Sequence, residues 1–301
     1  MKIAMRLLKS MVLAEFPSGS SINYLNGKLY LIGDDANHIL VLDHDYQKID
    51  SIHLFDRPEK RIPKNEKADL ETSTWISVDG RSCLLIFGSS SRQKRQKTIL
   101  IPAPAGMEAQ KPDFDFFDGE NLARQLENSG IGEVNIEGST ILGDALVLAN
   151  RGNENNPRNH LIFLNKDFHE SRQPRATISR LGLPPVAQHF LGVSELCYAE
   201  ELDILFVTLS SESTPDSYSD GAIGSSFLGW AVKPMAETTE IFLDGLTDLS
   251  TIHEAFRKQK IEGICLERAG PGEAIAHLIS DNDRGESSLF KMSLRMEEAD
   301  S

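Results

Sequence analysis

The sequence predicts an all-β chain, a five-bladed β-propeller closed by the N-terminal strand pairing in the last blade. Three observations carry the prediction. One unit recurs five times along 301 residues: an apolar strand, a tight turn with Gly, Asn or Asp, a second apolar strand, a polar cluster and one or two further strands. The turns hold the residue types that tight hairpins need, as at Asn26-Gly27 and Asp79-Gly80, because both central residues of a type I′ turn take positive φ. The fifth copy stops one strand short, while the N-terminus carries one to spare.

The spare strand is 3–14, with its apolar centre at Leu7-Leu8-Lys9-Ser10-Met11-Val12-Leu13. The first blade (20–57) places strands at 20–25, 28–32, 38–43 and 48–54. The second (69–118) places them at 71–76, 83–87, 98–101 and 114–117. The third (135–182) turns at Gly143-Asp144, with strands at 136–142, 145–149, 160–164 and 176–181. The fourth (193–244) turns at Glu200-Glu201, with strands at 194–198, 203–207, 227–232 and 239–243. The fifth (260–295) turns around Gly270-Pro271-Gly272, with strands at 261–266, 274–279 and 289–294. The copies are spaced by roughly 50 to 70 residues, longer than the about 40–45 of a compact WD-type blade. The excess falls in insertions, two with helical character: 119–126 and 249–257, the second with Ser250 at an N-cap position. All blades belong to one domain, 1–301.

Composition narrows the function classes. A hydrophobic fraction of 40% is enough for a sizeable core. A net charge of -14 argues against nucleic acid and against anionic membranes, both of which need a basic surface. The three cysteines, Cys83, Cys197 and Cys265, each sit in an apolar strand, which reads as buried thiols and not as a disulfide framework. The N-terminus mixes Lys2, Arg6 and Lys9 into its apolar residues, and no stretch approaches the about 20 apolar residues of a membrane span. Cytoplasmic residence is the expectation.

Aligning the copies puts Glu71, Glu137, Glu195 and Glu262 at the start of the innermost strands, with Ser20 in that place in the first copy. Innermost strands line the channel of a propeller, so the glutamates converge. Converging carboxylates repel unless a cation, a proton or a basic side chain sits among them. Two readings stay open: an oxygen-rich metal site suited to calcium, or pairing with Lys67, Lys258 and Lys260. A second polar set follows the second strands: Asp34, Asp35, Asn150, Arg151, Asp281, Asp283 and Arg284. These are the candidate ligand-binding residues of the channel rim, for a small molecule or a protein partner. Arg151 and Arg284 supply guanidinium groups suited to phosphate or carboxylate. The run from Asp281 to Glu286 fails the EF-hand pattern, and no nucleophile is visibly paired with a base, so no catalytic residue is assigned.

The phrases Asp69-Leu70-Glu71, Asn135-Ile136-Glu137-Gly138 and Lys260-Ile261-Glu262-Gly263-Ile264, with Ser280-Asp281-Asn282-Asp283, resemble the bacterial propellers known as esterase-like or phytase-like. That resemblance implies ester or phosphoester hydrolysis, often with calcium. The chain departs from it in having no dense acidic cluster beyond the glutamates. The first blade, with Gly27-Lys28-Leu29-Tyr30-Leu31-Ile32-Gly33-Asp34-Asp35, resembles an uncharacterised bacterial propeller family over nearly the whole chain. Two functions follow: a binding propeller without catalysis, or a calcium-dependent esterase, lactonase or phosphoesterase.

Overall fold

The computed structural model describes residues 1–57, 59–103, 115–165, 175–184, 190–211, 224–235, 238–282 and 285–297. The chain opens with β1 (Lys2–Leu13) and then builds five sheets in order. The first holds β2 (Gly19–Leu25), β3 (Lys28–Gly33), β4 (His38–Asp43) and β5 (Lys48–His53). The second holds β6 (Leu70–Val78), β7 (Arg81–Gly88), β8 (Lys97–Pro102) and β9 (Asp115–Asp118), followed by the helix α1 (Glu120–Asn128). The third holds β10 (Ile136–Leu142), β11 (Ala145–Asn150), β12 (His160–Asn165) and β13 (Ala176–Gly182). The fourth holds β14 (Gly192–Ala199), β15 (Ile204–Ser210) and β16 (Ser226–Val232); β17 (Glu240–Phe242) intervenes in the chain before its outer strand, β18 (Gly245–Asp248). The fifth holds β19 (Lys260–Gly270), β20 (Glu273–Asp281) and β21 (Ser287–Glu297). On it β1 lies antiparallel, from Lys2 opposite Glu297 to Leu13 opposite Ser287.

The sequence places the outer strand of the fourth blade at 239–243, and the structure does not. Instead β17 pairs in parallel with β13 and extends the third sheet, while β18 takes the outer place in the fourth. The insertion at 249–257 forms two 3-10 turns, and its cap is the Asp248 side chain accepting from the Ser250 amide at 2.8 Å, not Ser250. The hairpins at Asn26-Gly27 and Asp79-Gly80 take positive φ at both central residues, as a type I′ turn requires.

The second strands β3, β7 and β11 carry unbroken apolar runs at their centres because each blade is covered on both faces. In β7, Leu84 and Ile86 enter the core shared with the first blade, while Cys83, Leu85 and Phe87 enter the core shared with the third. Five such cores fill the five gaps between neighbouring blades. The gap between the fifth and first blades also holds a buried polar chain. There Tyr46 Oη lies 2.9 Å from His277 Nδ1, His277 Nε2 lies 3.1 Å from Glu267, and Lys291 Nζ lies 2.6 Å from the same carboxylate. Around the centre, the first strands touch in a ring: β2 with β6, β6 with β10, β10 with β14, β14 with β19 and β19 with β2.

Candidate functional site

The geometry of the channel follows from one irregularity repeated in every blade. Each first strand skips one residue in its pairing with the second, a β-bulge near the strand start. The skipped residues are Ser20, Glu71, Glu137, Ser194 and Glu262. Three of the four predicted glutamates therefore share one place. Glu195 does not: it lies one residue further along, at the position held elsewhere by Ser21, Thr72, Gly138 and Gly263. One step on a strand turns a side chain to the other face, so Glu195 leaves the ring and occupies the middle of the channel.

There it joins four blades. Its Oε1 accepts from Thr72 Oγ1 at 2.7 Å, from the Ser139 amide at 2.8 Å and from the Leu196 amide at 3.0 Å, and its Oε2 accepts from Ser21 Oγ at 2.9 Å. The glycines at the matching position make room for this crossing. A Cβ on Gly138 would lie 3.1 Å from the Glu195 backbone, and one on Gly263 would lie 3.0 Å from the Ser21 backbone. Burial pushes the Glu195 carboxyl well above the usual carboxylate range, and the hydrogen bonds from Thr72, Leu196, Ser139 and Ser21 pull it back.

On the bulge side of Glu195 lies an acidic rim. Ligand oxygens of Asp34, Asp69 and Glu71 fall within 4.8 Å of one another. Lys67 Nζ pairs with Asp34 and lies 2.8 Å from Asp69, whose other oxygen takes Arg95 at 2.7 Å and Ser89 at 2.6 Å. Lys67 therefore makes its ion pairs with Asp34 and Asp69 and acts on Glu71 only through its charge. Asp34 Oδ1 is buried without a partner among the described residues. Burial, then the charges of Asp69, Glu137 and Asp34, drive the Glu71 carboxyl well above its ordinary value, with Lys67 offsetting part. Burial also raises Asp34 to about 6 against Lys67, and Glu137 to about 7 against Arg151. Lys260 lies 2.7 Å from Glu262 Oε1, and Glu262 Oε2 is buried with no partner among the described residues.

The other predicted rim residues divide. Asp35 accepts from Arg61 Nε at 2.8 Å, and Asp281 at the end of β20 adds to the field that holds the Arg61 guanidinium charged. Asn150 is buried, its Oδ1 taking the Asn135 amide at 2.7 Å. Arg151 is also buried and reaches Ser194 Oγ at 3.2 Å and Ser210 Oγ at 2.9 Å, tying the third blade to the fourth. Asp283 and Arg284 lie outside the described residues. Sequence reasoning missed Asp69 as a rim carboxylate. The available signal was the spacing Lys67-Asp69-Glu71 in the sequence, although Asp69 takes a left-handed conformation (φ 57°) and not the extended one that such spacing suggests.

Five units of four strands, the third extended to five by β17, around a central channel define a β-propeller. Solved structures agree on that fold. Glutaminyl cyclase from Myxococcus xanthus superposes with a TM-score of 0.55 at 13% identity, covering 98% of this chain and 97% of its own. The major Malassezia sympodialis allergen Mala s 1 does so with 0.51 at 11%, covering 95% and 96%. At such identities the likeness concerns fold alone. Residues 15–294 match the family of unknown function DUF6929, and the chain belongs to that family. A comparison with curated proteins finds no match.

Proposed function

We propose that this propeller binds a cation at the acidic rim of its channel, through Glu71, Asp34 and Asp69. The observation that supports this is the cluster itself: ligand oxygens of Glu71, Asp34 and Asp69 lie within 4.8 Å of one another. Burial and then like charges raise the Glu71 carboxyl well above its ordinary value, and the nearby lysine pairs with Asp34 and Asp69 and only partly offsets Glu71. A bound cation relieves that repulsion. The open acceptors are all oxygens, which suits calcium, with water completing the six to eight ligands it takes. Calorimetry with Ca²⁺ tests the reading. Wild type should bind and Glu71→Gln should bind at least about tenfold more weakly; no heat from wild type would overturn it. Protons compete for the same oxygens, so affinity should fall as pH drops from 8 to 5 through the value of about 6 for Asp34.

A calcium-dependent hydrolase on the same rim is the second reading. The Glu137 value of about 7 favours it, because a group poised there both takes and gives protons near neutrality. Aryl esters, lactones and phosphate esters assayed with Ca²⁺ separate the two, turnover meaning hydrolase. Independently of either reading, we propose that β1, antiparallel on β21, is the strand that closes the ring. Among the described residues no helix is long and apolar enough to cross a membrane.

A further inference from the structure

We infer that the cavity on the hairpin side of Glu195 is a second binding site, built for a small uncharged molecule with a hydrogen-bond donor and acceptor side by side, the chemistry of a primary amide. The cavity measures about 220 Å³ and is lined by first-strand residues of all five blades. At about 30 Å³ per water it has room for roughly seven waters, or for one compact organic molecule. No Asp, Glu, Lys or Arg is among its lining residues. A charged ligand entering it would lose its hydration with no charged side chain in the lining to replace it, and the nearest, Glu195, already gives both oxygens to four donors.

The third residue past each bulge lines the cavity: Asn23, Thr74, Thr140, Cys197 and Cys265. Three consecutive blades give a polar wall. Asn23 Nδ2 donates to the Ser73 carbonyl at 2.8 Å and to Ser73 Oγ at 2.6 Å, which fixes the amide and leaves Oδ1 as an acceptor. Thr140 Oγ1 accepts from the Tyr198 amide at 3.0 Å, which leaves its hydroxyl hydrogen to donate. Between them stands the Thr74 hydroxyl. The other two blades give a soft wall of two thiols, and burial keeps them protonated, with Cys197 pushed up to about 12. An amide matches both walls: its N–H₂ meets Asn23 Oδ1, its carbonyl meets a threonine hydroxyl, and its apolar body faces Cys197 and Cys265.

Saturation-transfer NMR on the full chain tests this with benzamide, its charged isosteres benzoate and benzylamine, and glucose as a neutral polyol. Benzamide should bind and the other three should not. Thr74→Val and Thr140→Val should each weaken benzamide at least about fivefold. In wild type, benzamide should slow alkylation of Cys197 by N-ethylmaleimide, located by mass spectrometry, which needs no variant to fold. Glu71→Gln should leave benzamide binding unchanged, since this site is independent of the rim. Absence of benzamide binding, equal binding of benzoate, preference for glucose, or unaltered Cys197 labelling would each overturn the inference.

Discussion

Glu195 shows how one side chain can organise a ring. Four donors from the first to fourth blades converge on it, and behind one of them the polarity is set. The Asn23 amide donates to Ser73 Oγ, Ser73 Oγ lies 2.9 Å from Ser21 Oγ, and Ser21 donates to Glu195. Every hydrogen in that chain points toward the carboxylate. Glu195→Ala removes the acceptor and leaves buried donors unsatisfied, each loss costing more than a net hydrogen bond is worth. Urea unfolding should show a loss of about 3 kcal/mol or more. Glu195→Gln keeps one oxygen for Thr72 and the two amides and only reverses the Ser21 bond, so its loss should be smaller. Equal stability of the alanine variant and wild type would mean that the channel centre contributes nothing to holding the blades. The residue type was visible in the sequence, but its place was not. Ser194-Glu195 offers two polar neighbours, and only the bulge decides which of them stands at the ring position.

Strands were legible because they punctuate themselves: the hairpin residues fix where β2 and β6 end, and the apolar runs of β7 and β11 announce burial on both faces. What could not be read was pairing between sheets. Glu240–Phe242 is three residues long, and nothing in it says that it joins β13 in parallel. The polar chain between the fifth and first blades was equally hidden, since Tyr46 and His277 are 231 residues apart. That chain carries a pH dependence. His277 is fully buried, and burial lowers it to about 4, with Lys291 and His44 adding in that direction and Glu267 opposing. In the unfolded chain its ordinary value is 6.5. The native state thus keeps the neutral ring, and below 6.5 only the unfolded chain takes the proton. Stability from this group is complete above about 6.5 and is lost as pH falls toward about 4, by roughly 3 kcal/mol in total. Glu267 is held below its ordinary value by Lys291 and His277 against its own desolvation, and acid works the same way on it. Denaturant unfolding at pH 7.5 and pH 4.5 should show a larger drop for wild type than for His277→Gln. Identical drops would remove His277 from the acid response.

At the scale of the whole molecule, the blades resemble one another but the ring is held unequally. The first and second blades are built from consecutive stretches of chain and the third and fourth exchange only β17, whereas the fifth combines β19, β20 and β21 with β1 from the far end. The two ends thus meet in one sheet, and the cores on both sides of it draw on β1. Ile3 is buried in the core shared with the fourth blade, while Met11 and Leu13 pack on the core shared with the first. Lys9 lies 5.1 Å over the ring of Tyr46, the residue that reaches His277 across the same gap. If β1 closes the ring, its loss should loosen both neighbouring gaps and not merely fray one edge. A chain lacking residues 1–13 gives up one fully buried isoleucine and four partly buried side chains, Met5, Leu7, Met11 and Leu13. At about 1.5–3 kcal/mol for each fully buried side chain, that amounts to about 4 kcal/mol or more. The truncated chain should unfold at lower urea, and hydrogen exchange should quicken in β2 and β14 as well as in β21. A synthetic peptide of residues 1–14 added in trans should restore the midpoint, because it supplies the same register from Lys2 opposite Glu297 to Leu13 opposite Ser287. If the truncated chain keeps the wild-type midpoint, or if faster exchange stays confined to β21, then β1 decorates the fifth blade and the ring is held by the other contacts between the fifth and first blades, β19 with β2 and Tyr46 with His277 among them.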